Sequence, residues 1–116
     1  MSSYLIATLA AHAVLLWGED AQLDIVQEEC AELIQAISKL RRARRAVEAR
    51  GPNLDTFEAR AADRELSEAE RNIVKEAADV WIMLQQLEAL VSGEYQAARE
   101  FVVKNFAAKV TQASEK

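Results

Sequence analysis

Glycine and proline are scarce: three Gly and one Pro stand in 116 residues. Sandwiches, barrels and Rossmann-type sheets need many more turns than these can supply, so such architectures are excluded. So few glycines also leave no Gly-rich loop to cradle a phosphate. Cys30 is the single cysteine, which forbids an intramolecular disulfide, and no Cys/His pair has zinc spacing; a reducing, cytoplasmic setting is expected. The longest apolar run, Tyr4 to Trp17, contains His12 and falls short of the roughly 18–20 residues needed to cross a bilayer. No basic residue precedes it, so it is not read as a signal peptide. Bases are outnumbered, 14 against 19 acids, and the net charge of −5 argues against general attraction to nucleic acid or an anionic membrane.

Alanine, the best helix former, occurs 22 times. The chain therefore reads as all-α, and its length fits one domain over residues 1–116. Breakers at Gly18, Gly51-Pro52 and Gly93 divide it into helical pieces. Helices are expected from about Ser3, as N-cap, to Trp17, and from Asp20 to Arg50. The stretch from Asn53 to Glu65 has weak periodicity. Ser67-Glu68-Ala69-Glu70 is a capping-box signature for a helix running to Val91, closed by Ser92-Gly93. A last helix should run from Glu94 to about Gln112.

At 100° per residue, Leu23, Val26, Cys30, Leu33, Ile34 and Ile37 fall on one stripe of the second helix, the expected core face. Glu29 borders that stripe, and Glu32 points the same way as Glu29. On the helix after Ser67 the expected core stripe is Ile73, Ala77, Val80, Leu84, Leu87 and Val91, and it encloses Glu76, with Asp79 on its flank. Trp81 and Ile82 make this helix apolar nearly all round, which suits a central helix or a subunit interface. A carboxylate in such a stripe must be paired, hydrogen-bonded, protonated or bound to a cation, because burying it alone is costly.

Two acidic pairs at i, i+3, Glu29/Glu32 and Glu76/Asp79, thus adjoin core surface, with Glu28 beside the first. Four carboxylates facing one another repel unless a divalent cation lies between them. Oxygen-only, highly charged ligand sets suit Mg²⁺ or Mn²⁺ better than zinc, and Mg²⁺ takes further oxygens from substrate phosphates. Salt bridges to Lys and Arg of neighbouring helices are the competing explanation in a chain that is 28% charged.

Trp17-Gly18-Glu19-Asp20-Ala21-Gln22, Glu28-Glu29-Cys30-Ala31-Glu32-Leu33 and Glu76-Ala77-Ala78-Asp79-Val80-Trp81 together resemble the MazG-like all-α nucleotide pyrophosphohydrolases, especially their small phage and bacterial forms. That family's motif is EExxE followed by ExxD, and Glu76 to Asp79 is the only ExxD in the chain. The resemblance covers about residues 17–41 and 73–90. It implies a four- to five-helix bundle of the all-α NTP pyrophosphatase type, with helices shared across the interface of a homodimer or tetramer. It further implies Mg²⁺, with Mn²⁺ as substitute, held by Glu29, Glu32, Glu76 and Asp79, and hydrolysis of an NTP or dNTP to a monophosphate and pyrophosphate. Glu28 would take a supporting or general-base role. One departure stands out: 43 residues separate Glu32 from Glu76, more than is usual in the family. The excess falls around Gly51 to Glu65, where an extra hairpin or short helix is expected.

Lys39-Leu40-Arg41-Arg42-Ala43-Arg44-Arg45 packs five cations into seven residues. Lys39 and Arg42 are candidates for the leading phosphates, although a solvated helix face explains most of the run. Lys104, Asn105 and Lys109 are weaker candidates of the same kind. Trp17 could stack on a base and His12 could contact one, while both could equally be packing residues. The competing overall reading is a non-catalytic helical oligomerisation module whose acids form salt bridges. Nucleic-acid binding through residues 39–45 is not expected at this net charge.

Overall fold

A computed structural model of the protein describes residues 2–52, 55–91 and 95–115. Among these residues there are four helices and no strand: α1 (Ser3–Trp17), α2 (Glu19–Ala49), α3 (Phe57–Leu90) and α4 (Tyr95–Ser114). The Ser2 hydroxyl, one residue ahead of the expected cap, accepts from the Leu5 N–H at 3.2 Å and starts α1. Gly18 is the only residue between α1 and α2. Its φ of 87° turns the chain while its N–H donates to Val14 O and its carbonyl accepts from Gln22. A side chain at that φ would be strained, which gives this glycine its place.

α2 and α3 are the body of the molecule, an antiparallel hairpin about 50 Å long at 1.5 Å per residue. Its facing positions recur at alternating spacings of three and four. On α2 they are Gln22, Val26, Glu29, Leu33, Ala36, Leu40 and Ala43; on α3 they are Ala59, Ala62, Leu66, Ala69, Ile73, Glu76, Val80 and Met83. This is the period of a coiled-coil seam. Alanines fill much of it, Ala36 and Ala59 being all but inaccessible, and they let the two backbones approach closely. Toward the tip, Leu40, Ala43 and Ala69 form an apolar cluster, flanked by Leu66 and Ile73. At the tip itself the Arg50 guanidinium bonds to Ala59 O and pairs with Asp63.

Several expectations need correction. Ser67 starts no helix: α3 begins ten residues earlier at Phe57, capped by the Thr56 hydroxyl accepting from Ala59 N at 3.0 Å. The weakly periodic stretch is its first two turns and more, because Ala59, Ala62 and Leu66 continue the seam. The described part of the extra segment therefore lengthens the hairpin and adds no fifth helix. Asn53 and the expected stop at Ser92-Gly93, like the start at Glu94, lie outside the described residues.

Both expected core stripes also shift. Leu23, Ile34 and Ile37 on α2, and Ala77, Leu84 and Val91 on α3, are exposed. The buried stripe lies one position earlier, so that Glu29 and Glu76 are inside the seam. α1 covers the other side of α3, burying Ala10 and Ala13 against the region of Ile82 and Gln86. α4 buries none of its residues; Arg99 pairs with Glu88 at 3.5 Å and lies over the Tyr95 ring.

Candidate metal centre

The antiparallel register brings the middle of α2 against the middle of α3. Glu29, Glu76 and Asp79 there each offer one carboxylate oxygen, and the three oxygens lie within 4.8 Å of one another. Glu29 and Glu76 belong to the seam. Asp79 stands one position before the seam residue Val80, on the side of the hairpin that also carries Glu32. The i, i+3 spacing of Glu76 and Asp79 is what lets two side chains of one helix converge.

The electrostatics are unfavourable without a cation. Burial raises the pKa of the Glu29 carboxyl above its ordinary value, and Glu32, Asp79 and Glu76 add to the rise. One oxygen of Glu29 and one of Glu76 are sealed from solvent with no hydrogen-bond partner. Such atoms are rare in folded proteins and mark either a ligand or a cost. One charge offsets the cluster: Lys75 Nζ lies 3.0 Å from Asp79 Oδ2 and 3.6 Å from Glu76 Oε1. The ammonium is exposed and its pKa is raised by its hydrogen bond to Asp79 and by the charges of Asp79 and Glu76. It leaves Glu29 without a cationic partner among the described residues.

Of the four carboxylates expected to converge, three do; Glu32 stands beside Glu29, near enough to raise its pKa, outside the triad of close oxygens. Glu28 is exposed. Lys39 and Arg42 line a groove of about 370 Å³ with Glu65, Glu68 and Asn72, toward the hairpin tip. His12 and Trp17 line a separate, mainly apolar groove of about 320 Å³, whose other wall includes Ile82 and Gln86 of α3. Ile82 is one helical turn from Asp79, so this groove opens next to the acids. Lys104, Asn105 and Lys109 are exposed on α4 and line neither groove.

Sequence reasoning missed Lys75, whose only signal was an i, i+4 spacing to Asp79. It also missed Gln22 and Gln86, buried amides with unpartnered atoms near α1, which no periodicity argument marks as polar core. No family model, curated protein or solved structure matches this chain.

Proposed function

We propose that the chain is a Mg²⁺-dependent nucleoside triphosphate pyrophosphohydrolase, acting as a homo-oligomer in the cytoplasm. One observation carries the reading: Glu29, Glu76 and Asp79 meet at the centre of the hairpin, and two of them hold sealed, unpartnered oxygens. The donors are carboxylate oxygens throughout, which fits a hard cation such as Mg²⁺ or Mn²⁺ and fits zinc poorly. Glu29, Glu76 and Asp79 would hold the ion, with Glu32 alongside. When bound, it would supply positive charge to the phosphates and a more acidic water.

The remaining roles fall to the chain's own groups. Trp17 offers a ring on which a base can stack, in the groove one turn from Asp79. His12 lines the same groove and offers a hydrogen bond to the base. Lys39 and Arg42 meet the leading phosphates from the opposite side of the acids. A water attacks the α-phosphorus in line; the bond from that phosphorus to the bridging oxygen of the β-phosphate breaks, and pyrophosphate leaves. Glu28, exposed and adjacent to Glu29, takes the proton of the attacking water.

The test is pyrophosphate release from a panel of ribo- and deoxynucleotides. Turnover of some member with Mg²⁺, abolished by Glu76→Gln or Asp79→Asn in a folded protein, is expected; no turnover on the whole panel would remove the proposal. A second reading, a helical interaction module, has its own support in the Lys75 pairs to Asp79 and Glu76. It requires that chelators leave the melting temperature unchanged.

A further inference from the structure

We infer that the charged groove toward the hairpin tip takes an uncharged, hydroxyl-rich group, so that the chain also cleaves nucleoside diphosphates whose outer phosphate is esterified to a sugar. The inference rests on the proposed function for the bond that breaks, and it adds the group held on the far side of that bond.

One row of α3 joins the two grooves. Glu65, Glu68, Asn72, Lys75, Asp79, Ile82 and Gln86 stand at alternating spacings of three and four, each one position before the seam, so they share one side of the helix. Glu65, Glu68 and Asn72 line the charged groove of about 370 Å³, while Ile82 and Gln86 line the mainly apolar one of about 320 Å³. Asp79, a member of the acidic triad, lies between them. At 1.5 Å per residue, Asn72 is about 10 Å from Asp79 along the helix and Glu65 about 21 Å, while Gln86 is about 10 Å the other way. On α2, Glu32, Lys39 and Arg42 also stand one position before the seam, and Lys39 is about 10 Å beyond Glu32. A ligand centred on the acids thus has a groove at each end, and both are of a size usual for small-molecule sites.

The lining of the charged groove is mixed in sign. Lys39 and Arg42 of α2 face Glu65 and Glu68 of α3 across it. All four are exposed, and none forms an ion pair among the described residues. Phosphates that extend past Lys39 meet two carboxylates, which repel them. An ammonium group is no better suited, because the two cations repel it. A neutral polyol uses every one of these side chains. Lys39 and Arg42 donate to hydroxyl oxygens, Glu65 and Glu68 accept from hydroxyl hydrogens, and the Asn72 amide does both. Hydrogen bonds to charged groups are also the stronger kind. The apolar groove, with Trp17, keeps the base.

The reaction balances without a further reagent. Water attacks the α-phosphorus, the bond from that phosphorus to the bridging oxygen breaks, and the oxygen leaves with the electron pair as part of a sugar phosphate. Glu28 takes the water's proton, as it does for a triphosphate. The products are a nucleoside monophosphate and a sugar phosphate.

The test uses nucleoside diphosphate glucoses and riboses of each common base, together with analogues that carry a methylene in place of the bridging oxygen and so resist cleavage. With Mn²⁺ present, calorimetry of the full chain should show a methylene sugar analogue binding about tenfold or more tighter than the matched methylene nucleoside diphosphate without sugar. Glu68→Ala and Asn72→Ala should each erase most of that advantage while the sugar-free analogue still binds and helical circular dichroism is kept. The cleavable compound should yield nucleoside monophosphate and sugar phosphate. Equal binding with and without the sugar, an advantage that survives both substitutions, or no sugar phosphate from any compound would each overturn the inference. Triphosphate turnover beside any of these results would leave the proposed function standing. A sugar-dependent advantage lost in both variants, with sugar phosphate released, would uphold the inference even where no triphosphate is turned over.

Discussion

Glu29 faces Glu76 across the seam of the hairpin, and each keeps one carboxylate oxygen away from water with no hydrogen-bond donor. Elsewhere this seam is built of Ala, Leu, Val, Ile and Met, with the buried amide of Gln22 near its open end, so the two acids interrupt a mainly apolar interface at its middle.

The pair should be a liability in the cation-free protein. Glu29→Gln keeps the shape and removes one charge, and it should raise the melting temperature of the chelator-treated protein by a few degrees. The gain comes from removing a half-buried charge and its repulsion by Glu32, Asp79 and Glu76. With Mg²⁺ present the order should reverse, the native chain gaining stability that the variant lacks. Thermal melts with and without chelator measure both.

Stability should also fall as pH rises. A carboxyl whose folded pKa is raised binds more protons folded than unfolded, so its contribution is present below the ordinary value of 4.5 and lost as pH rises through the raised one. The metal-free protein should therefore lose melting temperature upward from that point, and Glu29→Gln should flatten this part of the profile. Mg²⁺ should flatten it as well, because a bound cation favours the ionised form.

Lys75 competes for Asp79 and Glu76. Its ammonium is exposed, so Lys75→Gln should change stability little. The same change should tighten divalent cation binding several-fold, as measured by titration, because it removes a positive charge from the rim of the site. Unchanged or weaker binding would assign Lys75 no such role.

Close packing at the seam depends on small side chains. Ala59 and Ala36 are buried to within about one per cent, so Ala36→Leu should force the helices apart at a cost of roughly 1–3 kcal/mol. Thr56→Ala, which removes the α3 cap, should cost about 1 kcal/mol. Chemical denaturation measures each.

Gly18 and Gly51 made the limits of α1 and α2 legible, and EExxE with ExxD marked the acids before any geometry was known. The core face was not legible. A wheel weighted by hydrophobicity picks Leu23, Ile34 and Ile37 over Ala36 and Ala43, yet an antiparallel pair at close range takes the small residues inside and leaves the large ones for another surface. The same preference explains Ser67. Its capping box is a local signal, overruled because Ala59, Ala62 and Leu66 already continue the seam. The Lys75 pair is an exposed i, i+4 contact of a kind common on helix surfaces, and nothing in its spacing sets it apart from the chain's other Lys and Arg residues.

The most direct measurement is a calorimetric Mn²⁺ titration of the native chain beside Glu76→Gln. The expected result is saturable binding by the native chain, lost or weakened by at least about tenfold in the variant while its helical circular dichroism is kept. No binding by the native chain, or equal affinity in the two proteins, would contradict the assignment of Glu29, Glu76 and Asp79 as a cation site.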